Sequence, residues 1–91
     1  MRDSVGTVVS LVFLARLREA FGAGSERIEV PAHVNTVGAL RAWLAARGDA
    51  WAIELAPGRA VRIAVNHDLA TEVTPISPGD EIAIFPPVTG G

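Results

Sequence analysis

The residues with the clearest chemical potential are the last two, Gly90 and Gly91, which follow Pro86-Pro87-Val88-Thr89 directly after a strand-like run, Glu81-Ile82-Ala83-Ile84-Phe85. Glycine gives up more conformational freedom on ordering than any other residue, so a Gly-Gly end anchors a terminus poorly and enters a narrow channel well. The reactive group it offers is the α-carboxylate of Gly91, which no side chain shields from another protein's active site. Pro86-Pro87 biases the approach toward extended polyproline geometry and lowers the entropy lost when the tail enters a site. Ordering six free residues costs about 6 to 12 kcal/mol, so stiffness at the root and slimness at the tip act together. A frayed terminus of no consequence fits the two glycines equally well when they are taken alone.

Other chemistries find little support. Cysteine is absent, which removes disulfides, thiolate catalysis, Cys-based zinc sites and iron–sulfur ligation together. Any sulfur chemistry must use sulfur the chain does not own. His33 and His67 stand in different segments with no second histidine at i+3 or i+4, so no metal site is expected. Asp80 and Glu81 alternate in direction on entering a strand and form no acid/base pair. Asp49, Glu54, Asp68 and Glu72 read as solvated loop charges. No serine occupies a GxSxG elbow. Gly22-Ala23-Gly24 continues as Ser-Glu-Arg into a strand, so it opens no dinucleotide fingerprint. All eight basic residues are arginine, leaving the α-amino group as the amine nucleophile and no lysine for an isopeptide bond of the chain to itself.

Bulk properties set the scale. Ninety-one residues, 49% of them apolar, make one small domain with a single core. The formal charge of −2 is scattered without a block of one sign, so neither a nucleic-acid groove nor a polybasic membrane patch is expected. The apolar stretch from Val5 to Ala15 is interrupted by Gly6, Thr7 and Ser10 and falls far short of the roughly 20 residues that span a bilayer. Arg16, Arg18 and Glu19 follow it at once, without a small-x-small cleavage site, so it reads as a core strand rather than a secretory leader.

The elements that must position the tail follow from periodicity. Residues 1 to 6 read as a disordered lead, 7 to 85 as the folded domain and 86 to 91 as the tail. Thr7 to Leu14 predicts a strand with Val9, Leu11 and Phe13 on one face and Ser10, Val12 and Leu14 on the other. Ala15 to Phe21 predicts a short helix stopped at Gly22. Arg27 to Val30 predicts a second strand. Thr36 to Arg47 predicts the main helix, capped by Asn35 or Thr36, with Val37, Leu40 and Leu44 as its apolar stripe and Gly48 as its end. Arg41 and Arg47 are expected near the negative end of its dipole. Ala50 to Leu55 suggests a broken helical turn, with Trp51 and Leu55 four apart. Arg59 to Val65 predicts a strand with Val61, Ile63 and Val65 facing in, and Leu69 to Val73 a short one. Ser77-Pro78-Gly79-Asp80 fits a type II turn leading into Glu81 to Phe85.

A mixed sheet wrapping one main helix accounts for this order. Ile82 and Ile84 would then face the helix, leaving Phe85 on the uncovered side near Leu14 and Leu69, where an aromatic beside aliphatics marks a contact surface. An isolated exposed apolar residue is the plain alternative. Arg18 and Arg62 would stand at the rim, either pairing with acids on a partner or serving solubility.

Phe85-Pro86-Pro87-Val88-Thr89-Gly90-Gly91, preceded by Pro78-Gly79-Asp80-Glu81 and Ala64-Val65-Asn66, resembles the small, sulfur-carrying subunits of molybdopterin synthases. Phe13-Leu14-Ala15, Leu17-Arg18-Glu19, Gly22 and Val37-Gly38-Ala39-Leu40-Arg41 are similar to the same family, so the resemblance runs over about residues 8 to 91. It implies an α+β fold of the β-grasp, ubiquitin-like type, with about five strands. It implies that an adenylating enzyme uses ATP to activate Gly91, that a sulfur donor protein converts the acyl-adenylate to a thiocarboxylate, and that the tail delivers sulfur to a cyclic pyranopterin precursor. The large, catalytic synthase subunit would receive Pro86, Pro87, Val88, Thr89 and Gly90 in its active site, as part of a cytoplasmic heterotetramer of two small and two large subunits. The face with Leu14, Arg18, Leu69 and Phe85 would be its partner surface. No cofactor is implied in the chain, and catalytic side chains would belong to the partners. A Gly-Gly end also fits sulfur carriers of the thiamine or another pathway, ubiquitin-like modifiers and a binding module with an inert tail; the Phe-Pro-Pro-Val-Thr approach favours molybdopterin synthase.

Overall fold

Two short apolar runs from opposite ends of the chain meet at the centre of the sheet. In the computed structural model, which describes residues 6 to 87, β1 (Thr7–Phe13) and β5 (Glu81–Phe85) lie parallel, with Leu11 opposite Ile82 and Phe13 opposite Ile84. All four of these side chains are fully buried. β2 (Ser25–Val30) pairs antiparallel with the outer edge of β1, and β3 (Arg62–Val65) and β4 (Asp68–Leu69) extend the other side. The five-stranded order is β2-β1-β5-β3-β4. This mixed sheet packed on one longer helix is the expected β-grasp arrangement.

Parallel neighbours require a long connection between them, and that connection carries the helix that covers the sheet. α2 (Val37–Ala45) buries Val37, Leu40 and Leu44 against the inward side chains of β1 and β5. Its first turn is fully satisfied. Thr36 Oγ1 accepts from Ala39 N at 3.2 Å, while Val37 N donates to Thr74 O and Gly38 N to Glu72 O, both at 2.9 Å. The 70–76 segment therefore closes over the helix N-terminus, and Gly38 permits the approach: a Cβ there would lie 3.1 Å from both Glu72 Cβ and Glu72 O.

Several boundaries differ from the sequence reading. α1 begins at Arg16 rather than Ala15, because Leu14 N still bonds Ile84 O at 3.1 Å and Ala15 must turn the chain off the strand at φ 56°. It ends as expected at Gly22, at φ 73°. β2 starts earlier, at Ser25, where antiparallel pairing to Val12 begins. β3 is shorter than expected and joins β4 through Asn66 and His67, both at positive φ. β4 stops at Leu69 because Thr71 and Thr74 form a hydrogen-bonded turn, with Thr71 N donating to Thr74 Oγ1 at 3.0 Å and Thr74 N to Thr71 O at 3.1 Å. Ile63 is buried, whereas Val61 and Val65 are half-buried against the core. The Pro78-Gly79 turn takes the expected form, with Gly79 at φ 87° and Asp80 N bonded to Ser77 O at 3.1 Å.

The broken turn near Trp51 is a complete short helix, α3 (Asp49–Glu54). Trp51 stacks on Phe21 with ring centroids 3.9 Å apart, and both meet the edge of Phe13. Two arginines of the α2 region hold this helix instead of compensating the α2 dipole. Arg41 donates to the carbonyls of Leu55, Ala56 and Arg59 at 3.1, 2.7 and 2.8 Å. Arg47 makes a bidentate pair with Glu26 at 3.0 and 2.9 Å while its guanidinium lies 4.5 Å from the Trp51 ring centroid.

Glu54 is not a solvated loop charge. Its side chain is 13% exposed on α3 and pairs with Arg16 and, at 3.1 Å, with Arg59. The hydrogen bond from Arg16 is the largest influence on its carboxyl group, and with Arg59 it outweighs desolvation and holds the pKa below the ordinary glutamate value. A carboxylate depressed in the folded state stabilises it above the unfolded pKa and loses that contribution as pH falls through the folded one. With both guanidinia about half exposed, screening keeps the effect under about 1 kcal/mol. Urea titrations of E54Q should therefore show a small loss relative to wild type at neutral pH that shrinks as the pH falls below the ordinary glutamate pKa and vanishes once Glu54 is protonated in the folded state; a pH-independent difference would remove the ion pair as its cause. Gly38→Val should cost about 1–3 kcal/mol through overpacking against Glu72, and an unchanged melting curve would show that the 70–76 segment can move away freely.

Candidate docking face and tail root

Strand parity decides which side chains face outward. Because Ile82 and Ile84 enter the core, Ala83 and Phe85 must point to the opposite face of β5. The same alternation puts Val8, Ser10 and Val12 of β1 and Arg62 and Ala64 of β3 on that face. The register then sets neighbours: Val12 opposite Ala83, Ala83 opposite Ala64, Ala64 opposite Leu69, and Phe85 opposite Arg62. Leu14 continues β1 one residue beyond Phe13 and sits beside Phe85 through its amide bond to Ile84 O.

Leu14, Phe85 and Leu69 thus come to one face, with Ala64 and Ala83 as the low ground between them. Leu14 is 41% and Leu69 63% exposed, and Phe85 is half-buried. Arg18 is exposed on α1, and its guanidinium lies against the turn after that helix: a Cβ on Gly24 would stand 3.1 Å from Arg18 Cζ. It leaves from the same end of β1 as Leu14. Arg62 is exposed beside Phe85.

The tail root is fixed by the same strand. Pro86 and Pro87 follow Phe85 without a turn and are half-buried. Pro87 borders a cavity of about 360 Å³ that Val37, Gly38, Arg41, Val61 and Arg62 also line. Val88, Thr89, Gly90 and Gly91 lie outside the described residues, as do Met1 to Val5 of the expected lead. Gly6 is described, and its amide donates to Glu29 Oε2 of β2 at 3.0 Å.

Asn66 has a positioning role that sequence reading did not assign. At φ 51° it turns β3 into β4. Its backbone N donates to Glu81 O at 2.8 Å, its side-chain oxygen accepts from Glu81 N at 2.9 Å, and its Nδ2 donates to Asp80 Oδ1 at 2.9 Å. These contacts fix where β5 starts, and with it the outward parity of Phe85. An Asn between a strand and a short second strand was the available signal. His67 lies 3.6 Å from Glu81 on the exposed side of the same turn. Among the described residues, no group of three or more His, Cys, Asp or Glu is arranged to hold a metal ion.

The arrangement can do one thing well: present an apolar face and, from its rim, a projecting strand end. This chain is 43% identical over 84 residues to the molybdopterin synthase sulfur carrier subunit of Escherichia coli, an alignment covering 92% of this chain and 100% of that one. Its fold is similar to the solution structure of the Haloferax volcanii HVO 2177 protein, with a TM-score of 0.82 and 28% identity over 100% of this chain and 92% of that chain. It is also similar to a chain in the complex of subunits 1 and 2 of the molybdopterin-converting factor from Helicobacter pylori, with a TM-score of 0.64 and 27% identity over 93% and 100% of the two chains. The ThiS family model matches residues 11–91, and with β5, Leu14, Leu69, Phe85 and the tail root all inside that span, the chain belongs to the ThiS family.

Proposed function

We propose that this chain is the sulfur carrier subunit of a molybdopterin synthase. The observation that carries the reading is the similarity to the E. coli subunit over that protein's whole length, in a chain whose central strand runs straight from the exposed face into Pro86-Pro87. Gly91 is the group that changes. Its carboxylate is a poor electrophile. An adenylating enzyme joins it to AMP from ATP as a mixed anhydride with release of pyrophosphate, giving a good leaving group, and a sulfur donor protein then displaces AMP to leave a thiocarboxylate. The tail delivers that sulfur to a cyclic pyranopterin precursor during molybdenum cofactor biosynthesis.

The division of labour follows from the chain's own residues. Pro86 and Pro87 aim the tail, Val88, Thr89 and Gly90 thread the large subunit's active site, and Leu14, Arg18, Leu69 and Phe85 dock the body. The proposed partners are the large catalytic subunit, in a heterotetramer of two small and two large subunits, the adenylating enzyme and the sulfur donor. No resident cofactor is assigned, ATP being consumed at the activating enzyme. The proposed compartment is the cytoplasm; among the described residues no helix is long and apolar enough to cross a membrane.

Intact-mass measurement tests the chemistry. After incubation with ATP, the adenylating enzyme and a sulfur donor, the chain should gain the mass of sulfur replacing oxygen at its C-terminus. A protein-sized adduct would assign it instead to a modifier role, and no change with any activating enzyme would overturn both. Deleting Gly91 should abolish sulfur transfer and leave the melting curve nearly unchanged; a large loss of stability would tie the tail to the core. F85D should weaken association with the large subunit at least about tenfold, because it replaces an apolar anchor by a charge, and unchanged affinity would take Phe85 out of the interface.

A further inference from the structure

Arginine dominates the basic surface, and the structure separates the arginines by what they already hold. Arg16 and Arg59 share Glu54. Arg41 is committed to three carbonyls and Arg47 to Glu26 and Trp51. Among the described residues, Arg18, Arg27 and Arg62 pair with no acid. Arg18 rests against the Gly24 turn, and Arg27 stands opposite Ser10, in the row of the sheet that also contains Glu81. Arg62 differs from both. It lies directly opposite Phe85 on the uncovered face, is exposed, and shares the cavity at the tail root with Pro87.

Charge is also divided along the sheet. The end where the tail leaves carries Arg62, whereas Asp68, Asp80 and Glu81 gather at the opposite end, around the β3–β4 turn and the start of β5. Glu72 lines the same cavity but forms no ion pair with Arg62, so among the described residues Arg62 puts an unpaired guanidinium at the point where an apolar anchor and the tail root meet. Desolvating that position without a partner would leave a buried, unpaired charge. A carboxylate on the other side resolves this, and the planar guanidinium fork suits two parallel hydrogen bonds to it.

Resting on the docking role assigned above to this face, we propose that Arg62 is a specificity residue: it pairs with a carboxylate side chain of the large synthase subunit placed next to the Phe85 contact. Phe85 supplies contact area that many apolar pockets would accept. Arg62 selects among them by requiring an acid at one point, which sets the orientation in which the tail approaches. Such a rim charge acts on encounter rate and on discrimination between partners more than on the total affinity.

Binding of the intact chain to the large subunit from the same organism, at about 0.1 M and about 1 M salt, tests this, because screening length falls from ~10 to ~3 Å between them. At the lower salt, R62Q should bind about two- to fivefold more weakly than wild type and R62E at least about tenfold, while R62K, which keeps the charge but loses the fork, falls between wild type and R62Q. The differences should shrink at the higher salt. Melting curves identify any variant that is misfolded, and the salt slope of R62Q decides the matter if R62E is one. Wild-type affinity for R62Q and R62E, with F85D still impaired, would overturn the proposal and leave the docking reading intact. Equal, salt-independent losses in R62K, R62Q and R62E would also overturn it, assigning Arg62 to packing alone. Failure of the wild-type chain to bind the large subunit would overturn both readings.

Discussion

The parallel pairing of β1 with β5 is the constraint on which the rest depends. It brings the first and last strands of the chain together at the sheet centre, buries Leu11, Phe13, Ile82 and Ile84 on one side, and leaves the last strand running outward into Pro86. Because side chains alternate along a strand, this burial and the outward direction of Phe85 are one fact. A slip of one residue in β5 would send Phe85 inward and bring Ile82 and Ile84 out. Asn66 guards against that slip from the far end, by binding both the carbonyl and the amide of Glu81. The outward face that carries Phe85 is therefore specified by the core, and by one polar turn that locks the register.

The long connection between β1 and β5 must cover the sheet without leaving polar backbone exposed to apolar surroundings. The 70–76 segment achieves this by accepting, at its Glu72 and Thr74 carbonyls, hydrogen bonds from the first amides of α2, and Gly38 gives the clearance. Arg41 does the converse job at the end of α3, placing donors on three carbonyls. These bonds are worth more as avoided penalties than as net gains, since an unpaired buried carbonyl or amide costs about 1–3 kcal/mol. Arg16, Arg47 and Arg59 tie α1, α2 and α3 to one another and to β2. The chain thus uses four of its eight arginines to hold peripheral helices to a small core.

How much of this was legible in the sequence depended on whether the deciding contact was local. The Ser77-Pro78-Gly79-Asp80 turn and the alternation of Glu81 to Phe85 were readable because both are set by residues within one turn or one strand. The α2 stripe was readable for the same reason, through the spacing of Val37, Leu40 and Leu44. The early start of β2 and the early end of β4 were not, because pairing with Val12 begins one and the Thr71–Thr74 turn ends the other. Glu54 looked like a loop charge since its two partners lie 38 and 5 residues away in the chain. Arg62 was visible as a rim candidate, yet its apposition to Phe85 is a matter of cross-strand register that no local pattern encodes.

What the fold contributes to chemistry is position, and the described residues explain why a small body suffices. An isolated Gly-Gly peptide could carry the same carboxylate, but it would pay the whole ordering entropy each time it entered an active site. A rigid sheet removes part of that cost by fixing the direction in which the tail starts, and the proline pair carries the restriction further. In the proposed docking role, the face beside it would raise the effective concentration of the tail at the partner's site. Phe85 joins these two effects, being at once the last residue of the central strand and a half-buried part of the outward apolar face. A carrier of the proposed kind gains from having little chemistry of its own: with no cysteine and no lysine in the sequence, an acyl group activated at its C-terminus would meet no thiol or side-chain amine of its own chain.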